Sequence, residues 1–278
     1  MAAKAIEYDP LKAKLGKLVS RNVLLRRLFY TALGMLFLRQ WHVRSELKRI
    51  ARERGNSIRG ILDAGFGFGQ YSYLMGKLFP WAQIFAVDVK EEQVVDCRWF
   101  TEHVGQKHTK FEAADLTRFR DPERFDFALS VDVMEHIAED EAVFANVFAS
   151  LRPGGTFVVA TPSAEEGVDY HEEHEDFSVV GEHVRHGYTK PEFIEKITRA
   201  GFEIEKMKYV YGPVWGRLAW LLLQRIPMRL LSLTKLFAIL VIPWVIVLYL
   251  PAALFMWLDV HTTNRTGGGW VLIARKKL

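Results

Sequence analysis

Short apolar runs alternate with helical stretches along the middle of the chain. Ile61-Leu62-Asp63-Ala64 leads through a glycine-rich turn to Tyr71–Leu78. Gln83-Ile84-Phe85-Ala86-Val87 ends in Asp88, and Phe111–Leu116 and Phe125–Asp132 follow. Thr156–Ala160 comes after the turn Leu151-Arg152-Pro153-Gly154-Gly155. Strands that alternate with helices predict an open, mostly parallel α/β sheet. Phe202–Tyr211 and Gly267–Arg275 read as two more strands, so the pattern predicts a core over 60–213 completed by a last strand in 267–278.

Both flanks of this core are apolar in a different way. In Lys12–Arg59, basic residues (Lys12, Lys14, Lys17, Arg21, Arg26, Arg27) interleave with Leu15, Leu18, Leu24, Leu25 and Leu28, which predicts basic amphipathic helices over 1–59. Leu28–Leu38 mimics a signal peptide, but Arg39-Gln40-Trp41-His42 follows instead of a small-residue cleavage site. The segment reads as a helix covering the core's pocket, as a membrane contact, or as both at once. Leu236–Leu258 has 23 residues and no charge, long enough to span a bilayer. Yet the two strands on either side belong to one sheet and must share a compartment, so 214–266 leaves the sheet and returns. Pro243 and Pro251 are expected to interrupt that run. Trp215, Trp220, Arg217, Arg225 and Arg229 upstream favour a membrane interface. The expectation is a monotopic or re-entrant insertion; two short crossings and a homodimer interface are the alternatives.

Chemistry enters at the first strand. Asp63-Ala64-Gly65-Phe66-Gly67-Phe68-Gly69 has glycine at every second position, which lets backbone approach a ligand closely ahead of a helix N-terminus. Asp88, about 20 residues on at the end of the second strand, is where a Rossmann-type fold holds a ribose diol. Taken with Asp115-Leu116 and the Leu-Arg-Pro-Gly-Gly turn, the ordered set resembles the class I S-adenosylmethionine-dependent methyltransferases of the small-molecule type. It differs from the GxGxxG of nicotinamide dehydrogenases. The resemblance covers about Ile58–Gly212 and the final strand. It implies a Rossmann-like, seven-stranded, mostly parallel sheet whose C-terminal strand is antiparallel, with N-terminal helices and the hydrophobic helical insertion between the last two strands. It implies S-adenosylmethionine as cofactor and S-adenosylhomocysteine as product. Asp63, Gly65, Gly67 and Gly69 would cradle the methionine part, Asp88 with Val89 the ribose, Asp115 and Leu116 the adenine, and Asp132 would also bind the cofactor.

The charge distribution bears on partners. The chain carries +4 overall, but residues 1–60 carry +10 and 206–278 carry +9, leaving −15 between. Basic ends around an acidic centre point to an anionic lipid surface and away from nucleic acid. The single cysteine, Cys97, excludes an internal disulfide and reads as a small buried residue in a reducing compartment. The expected place is the cytoplasmic face of a membrane, and the expected acceptor a hydrophobic small molecule; a soluble small-molecule O-methyltransferase with the insertion as dimer interface, and a non-catalytic membrane scaffold, are the alternatives.

Methyl transfer needs a positioned acceptor and a proton acceptor. Five of the nine histidines fall in Asp132–His136 and His171–Tyr188. His186, His183 and then His136 are the candidate bases, with Tyr188 expected to orient an acceptor hydroxyl. Asp132-x-x-Glu135-His136 with a downstream histidine is also similar to the Glu-x-x-Glu-His…His arrangement of RNA 3′-terminal 2′-O-methyltransferases, with Asp in place of the first Glu. The expected site holds no metal, and this similarity leaves as the alternative a divalent ion held by Asp132, Glu135, His136 and His186.

Overall fold

The computed structural model describes residues 21–165, 184–233 and 238–277. Seven strands form one sheet in the order β3-β2-β1-β4-β5-β7-β6. They are β1 (Gly60–Ala64), β2 (Gln83–Asp88), β3 (Thr109–Ala113), β4 (Phe125–Val131), β5 (Leu151–Pro162), β6 (Glu203–Val210) and β7 (Gly269–Arg275). The first five pair in parallel. β7 runs antiparallel between β5 and β6. The expected sheet and its antiparallel last strand are both present.

Alternation along the strands assigns the two faces. Leu62, Val87, Ala128, Phe157 and Leu272 face one way, onto α5 (Asp140–Ser150) and α6 (Lys190–Arg199) through Phe144 and Phe193. Ile61, Ile84, Leu129, Val158 and Ile273 face the other way, onto α2 (Leu38–Arg54) and α3 (Gln70–Leu78) through Leu47 and Met75. Strand order reverses between β1 and β4, which opens a crevice at their C-terminal ends. α4 (Glu91–His103) flanks β2 and β3, and Cys97 is buried there beside Phe66 and Phe111.

α1 (Val23–Leu36) lies on the glycine loop. Arg26 Nη2 donates to the Phe68 carbonyl at 3.0 Å, and the Tyr30 hydroxyl donates to the same oxygen. These contacts describe a covering helix; Leu24, Leu28 and Met35 are exposed.

Between β6 and β7, the chain runs out through α7 (Trp215–Trp220), a π-helical turn (Leu221–Arg225) and α8 (Ile226–Leu233), and back along α9 (Ala238–His261). Trp215 stacks on Phe255, and the Trp244 indole N–H donates to the Leu222 carbonyl in the π turn at 2.9 Å. α9 runs unbroken through Pro243 and Pro251, against the expected interruption. Neighbouring helices and local adjustment let an apolar helix carry proline. At its base, Leu38 of α2 packs with Ala219, Leu223, Ala252 and Met256. There Asp259, fully buried, accepts from His42 Nε2 (2.8 Å), the Gly212 amide (2.9 Å) and Asn264 Nδ2 (3.1 Å).

Candidate active site

The glycine loop leaves β1 at the crevice. Gly65, Gly67 and Gly69 all have positive φ, at 83°, 53° and 78°. A side chain at Gly65 would overlap Val133, and one at Gly69 would come within 2.7 Å of Cys97 Sγ, so both glycines serve close approach within the protein. Gly67 differs: a Cβ there meets nothing within 4 Å, so its backbone faces open space that a ligand can use. α3 begins right after Gly69 with no side-chain cap, leaving N–H donors at a positive dipole end.

Asp88 sits opposite. Its Oδ2 accepts from the Gly67 amide at 2.9 Å and its Oδ1 from the Lys90 amide at 3.2 Å. Each carboxylate oxygen has a second lone pair to offer a ribose hydroxyl. Burial raises the Asp88 pKa, against the pull of those two amides. Val89 beyond it is exposed, an apolar surface at the strand's end. These features fit an adenosyl cofactor.

The other acids of the motif are placed differently. Asp63 is buried; its carboxylate accepts from Ser72 Oγ at 2.5 Å and ties α3 to β1. Burial pushes its pKa up to about 7. Asp115 is exposed and closes a local turn, accepting from the Thr117 amide (2.9 Å) and Oγ1 (2.7 Å). Leu116 is buried in the core.

Across the crevice, Asp132 directly follows β4 with φ 54°, a backbone strain found at functional sites. It ion-pairs with Arg39 at the start of α2. Burial alone would lower the Arg39 pKa, but Asp132, Tyr211 and Glu135 raise it. Tyr211, also at positive φ (58°), accepts from the Arg39 amide at 3.4 Å. Glu135 is buried, accepts from Thr161 Oγ1 at 3.2 Å, and is raised to about 8 by burial and then by Asp132. His136 stands half-buried on the same short turn, Met134–His136.

One expectation is corrected here, and one alternative is not met. Tyr188 is fully buried; its hydroxyl donates to Asp140 Oδ2 at 2.6 Å, and Lys196 and Arg185 pair with the same carboxylate. Its ring stacks on Phe193, so it braces α6 and does not reach an acceptor. The metal quartet is not assembled: among the described residues no three His, Cys, Asp or Glu side chains gather to hold an ion. Asp132 is turned to Arg39, Glu135 to Thr161, and His186 is exposed. His183 lies outside the described residues. Sequence reasoning missed Arg39 and Tyr211, whose approach to Asp132 is made by tertiary structure; a cation directly behind an apolar run was the one available signal.

A seven-stranded sheet with this switch-point loop and ribose-type acid defines the class I methyltransferase fold. The chain belongs to the family described as "Methyltransferase domain", which matches residues 57–208, and this domain uses S-adenosylmethionine. It is 30% identical over 114 residues to the methyltransferase tpcM of Aspergillus fumigatus, covering 40% of this chain and 34% of that protein. It is 23% identical over 171 residues to the human mitochondrial ubiquinone biosynthesis O-methyltransferase, covering 58% and 46%. The chain thus spans less than half the length of these curated relatives. Among solved structures, an O-methyltransferase from a trans-AT PKS multienzyme of Brevibacillus brevis, in complex with S-adenosyl-L-homocysteine, superposes with a TM-score of 0.57 at 17% identity, covering 93% of this chain and 79% of that one.

Proposed function

We propose that the protein methylates a lipid-soluble acceptor at the cytoplasmic face of a membrane. The observation that carries this is the outer face of α9. Ile239, Ile242, Ile246, Leu250, Leu254 and Trp257 are 50–76% exposed and recur every three or four residues over the length of the helix. The apolar stretch Ile239–His261 is long enough to cross a membrane, and little of it is buried. A face this long and apolar calls for lipid or a partner. Because β6 and β7 share a sheet, the helical pair enters the bilayer and returns, as a monotopic or re-entrant element, and its base adjoins the crevice through α2. A quinone precursor, an isoprenoid, a fatty acyl chain or a lipid headgroup would suit that position; the human relative's name, which places it in ubiquinone biosynthesis, favours a quinone precursor.

In this reading Gly67, the α3 N-terminus, Asp88 with Val89, and Asp115 hold the cofactor, while Asp63, Gly65, Gly69 and Leu116 shape the loop and its surroundings. When bound, S-adenosylmethionine supplies a sulfonium methyl group open to in-line displacement. Arg39, Asp132 and Tyr211 line the acceptor side. His136, on the turn that follows Asp132, takes the acceptor's proton; His186 is the next candidate. The test is transfer of labelled methyl from S-adenosylmethionine into a total membrane-lipid extract, with Asp88→Ala as the blank. Label in the organic phase is expected. Label confined to water-soluble products, with a detergent-free dimer, would instead make α9 a dimer surface.

A further inference from the structure

α1 is built inside out. Its buried positions, Arg26, Tyr30 and Gly34, recur every four residues and are polar or bare. Its leucines look the other way: Leu24 is 66% exposed, Leu28 56%, and Leu25 and Met35 38% each. Leu24, Leu28, Thr31 and Met35 follow one another at helical spacing, so they form one exposed stripe. A helix seated on a soluble core turns such a stripe inward. Here the stripe adds nothing to the hold of α1 on the core.

What holds α1 is polar and lies on the cofactor loop. The Arg26 guanidinium donates to the Phe68 carbonyl (3.0 Å), the Asp96 carbonyl (3.0 Å) and the Tyr30 hydroxyl (2.8 Å), which itself donates to the Phe68 carbonyl. The Phe29 ring meets the Phe68 ring edge-on at 5.5 Å. Phe68 stands between Gly67, whose amide Asp88 holds at 2.9 Å, and Gly69, from which α3 starts. The helix therefore grips the loop at one peptide. Charged and polar groups make that grip, and their burial costs desolvation.

Charge and position say what covers the stripe. Arg21, near Asp96 of α4, and Arg27 flank it, both exposed, and α1 itself carries no acid. Arg27 and Thr31 border a depression with Arg44 of α2 and Lys77 of α3, so the ground beside the stripe is basic. A second copy of the same face, meeting it about a twofold axis, would bring arginine against arginine. An anionic lipid surface takes both features, with leucines below the headgroups and arginines among them. The far end of α1 also reaches the helical pair: Leu36 packs at its base, and the Leu36 carbonyl accepts from Gln224 Nε2 at 3.4 Å.

We infer that α1 is a lipid-seated clamp on the cofactor loop: its leucine stripe docks on an anionic membrane surface, and docking holds Arg26 and Tyr30 on Phe68 and so tightens the cofactor site. This rests on the reading of the chain as a membrane-face methyltransferase and adds a second contact that couples the membrane to the cofactor.

The test uses full-length protein. Co-sedimentation reads its binding to phosphatidylcholine vesicles with and without phosphatidylglycerol, and calorimetry reads S-adenosylhomocysteine affinity with each vesicle present. Vesicles with phosphatidylglycerol should tighten S-adenosylhomocysteine about fivefold, and linkage requires S-adenosylhomocysteine to tighten vesicle binding by the same factor. Leu24→Ser with Leu28→Ser should weaken anionic-vesicle binding about 10–10²-fold. Arg27→Gln should weaken it about fivefold, and Lys110→Gln, exposed on β3, should leave it unchanged. Without vesicles the leucine variant should bind S-adenosylhomocysteine as wild type does; with them it should show no gain. A leucine variant that binds anionic vesicles as wild type does overturns the docking surface. Wild-type S-adenosylhomocysteine affinity that anionic vesicles leave unmoved overturns the clamp. A dimer that the leucine variant dissolves, with no vesicle binding, gives the stripe to a second copy and overturns the lipid assignment. α9 is read by its own variant, Ile246→Lys with Leu250→Lys, so unchanged vesicle binding there refutes insertion of α9 and not this surface.

Discussion

Replacing Asp88 separates a ligand-binding acid from one that merely ties the loop. Its two oxygens already accept from the Gly67 and Lys90 amides at 2.9 and 3.2 Å, and one lone pair on each remains for the ribose. A hydrogen bond to a charged group contributes about 1.5–3 kcal/mol, so two ribose hydroxyls amount to about 3–6 kcal/mol. Asp88→Ala should therefore weaken S-adenosylhomocysteine binding by about 10²–10⁴-fold. Asp88→Asn keeps one acceptor but turns an NH₂ toward a backbone N–H or a hydroxyl, and should lose about 10–10²-fold. Calorimetric titration of the purified variants reads both, with unliganded Tm as the check on folding. Gly67 and Lys90 stand near solvent, where water can take over their amides, so unliganded Tm should move little. Affinity within about threefold of wild type in Asp88→Ala, with Tm unchanged, would refute the assignment. Since burial raises the Asp88 pKa, affinity should also fall as pH drops through that raised value, and this dependence should vanish in the Asn variant.

Glu135→Gln should stabilise the protein at high pH. The folded pKa of about 8 stands above the ordinary 4.5, so the folded state holds a proton the unfolded state has released, and native stability falls as pH rises between those values; a Tm gain larger at pH 8 than at pH 5 is expected, and equal gains would contradict it. His42 runs the other way: burial lowers its pKa below 6.5 despite Asp259, so its full contribution is present above 6.5 and is lost as pH falls toward the lowered value, which a Tm series for wild type against His42→Gln will show. Gly69→Ala combines positive φ with a 2.7 Å approach to Cys97 Sγ and should cost about 1–3 kcal/mol in denaturant unfolding. Ile246→Lys with Leu250→Lys, both on the exposed face of α9, should release the protein from vesicles while cofactor affinity holds; unchanged flotation would count against insertion.

The sheet was legible because each strand is a local pattern. Apolar alternation, the glycine turn and Asp88 lie within a few residues of one another, and the last strand's place followed from the resemblance. The site was legible only as far as it is local. Asp88 and Gly67 are brought together by neighbouring strands, as expected. Tyr188 was misread because a tyrosine amid histidines looks like chemistry, whereas its partner Asp140 is 48 residues away in sequence. The alternative Asp132 quartet is not formed for the same reason: the Arg39 that pairs with Asp132 is 93 positions upstream. The prolines of α9 were overread, since their effect depends on which neighbours surround the helix.

The least legible element, α2, joins the two halves of the proposed activity. Leu38, Arg39, His42 and Glu46 fall within about two turns, and each reaches a different part. Leu38 enters the base of the helical pair, Arg39 meets Asp132 in the crevice, and His42 meets Asp259 at the end of α9. Glu46, 3% exposed, pairs with Lys206 and Lys208 on β6. Burial opposes its charge, yet Lys208, Lys206 and Arg49 together hold its pKa at about 2. Paired buried charges fix geometry more than they add stability. The helical pair therefore cannot shift against the sheet without disturbing a run of residues one of which lies on the proposed acceptor side. A loose tether would need none of these contacts. A membrane element that must present its acceptor at a fixed depth and angle to the crevice does need them, because methyl transfer depends on alignment of the reacting atoms.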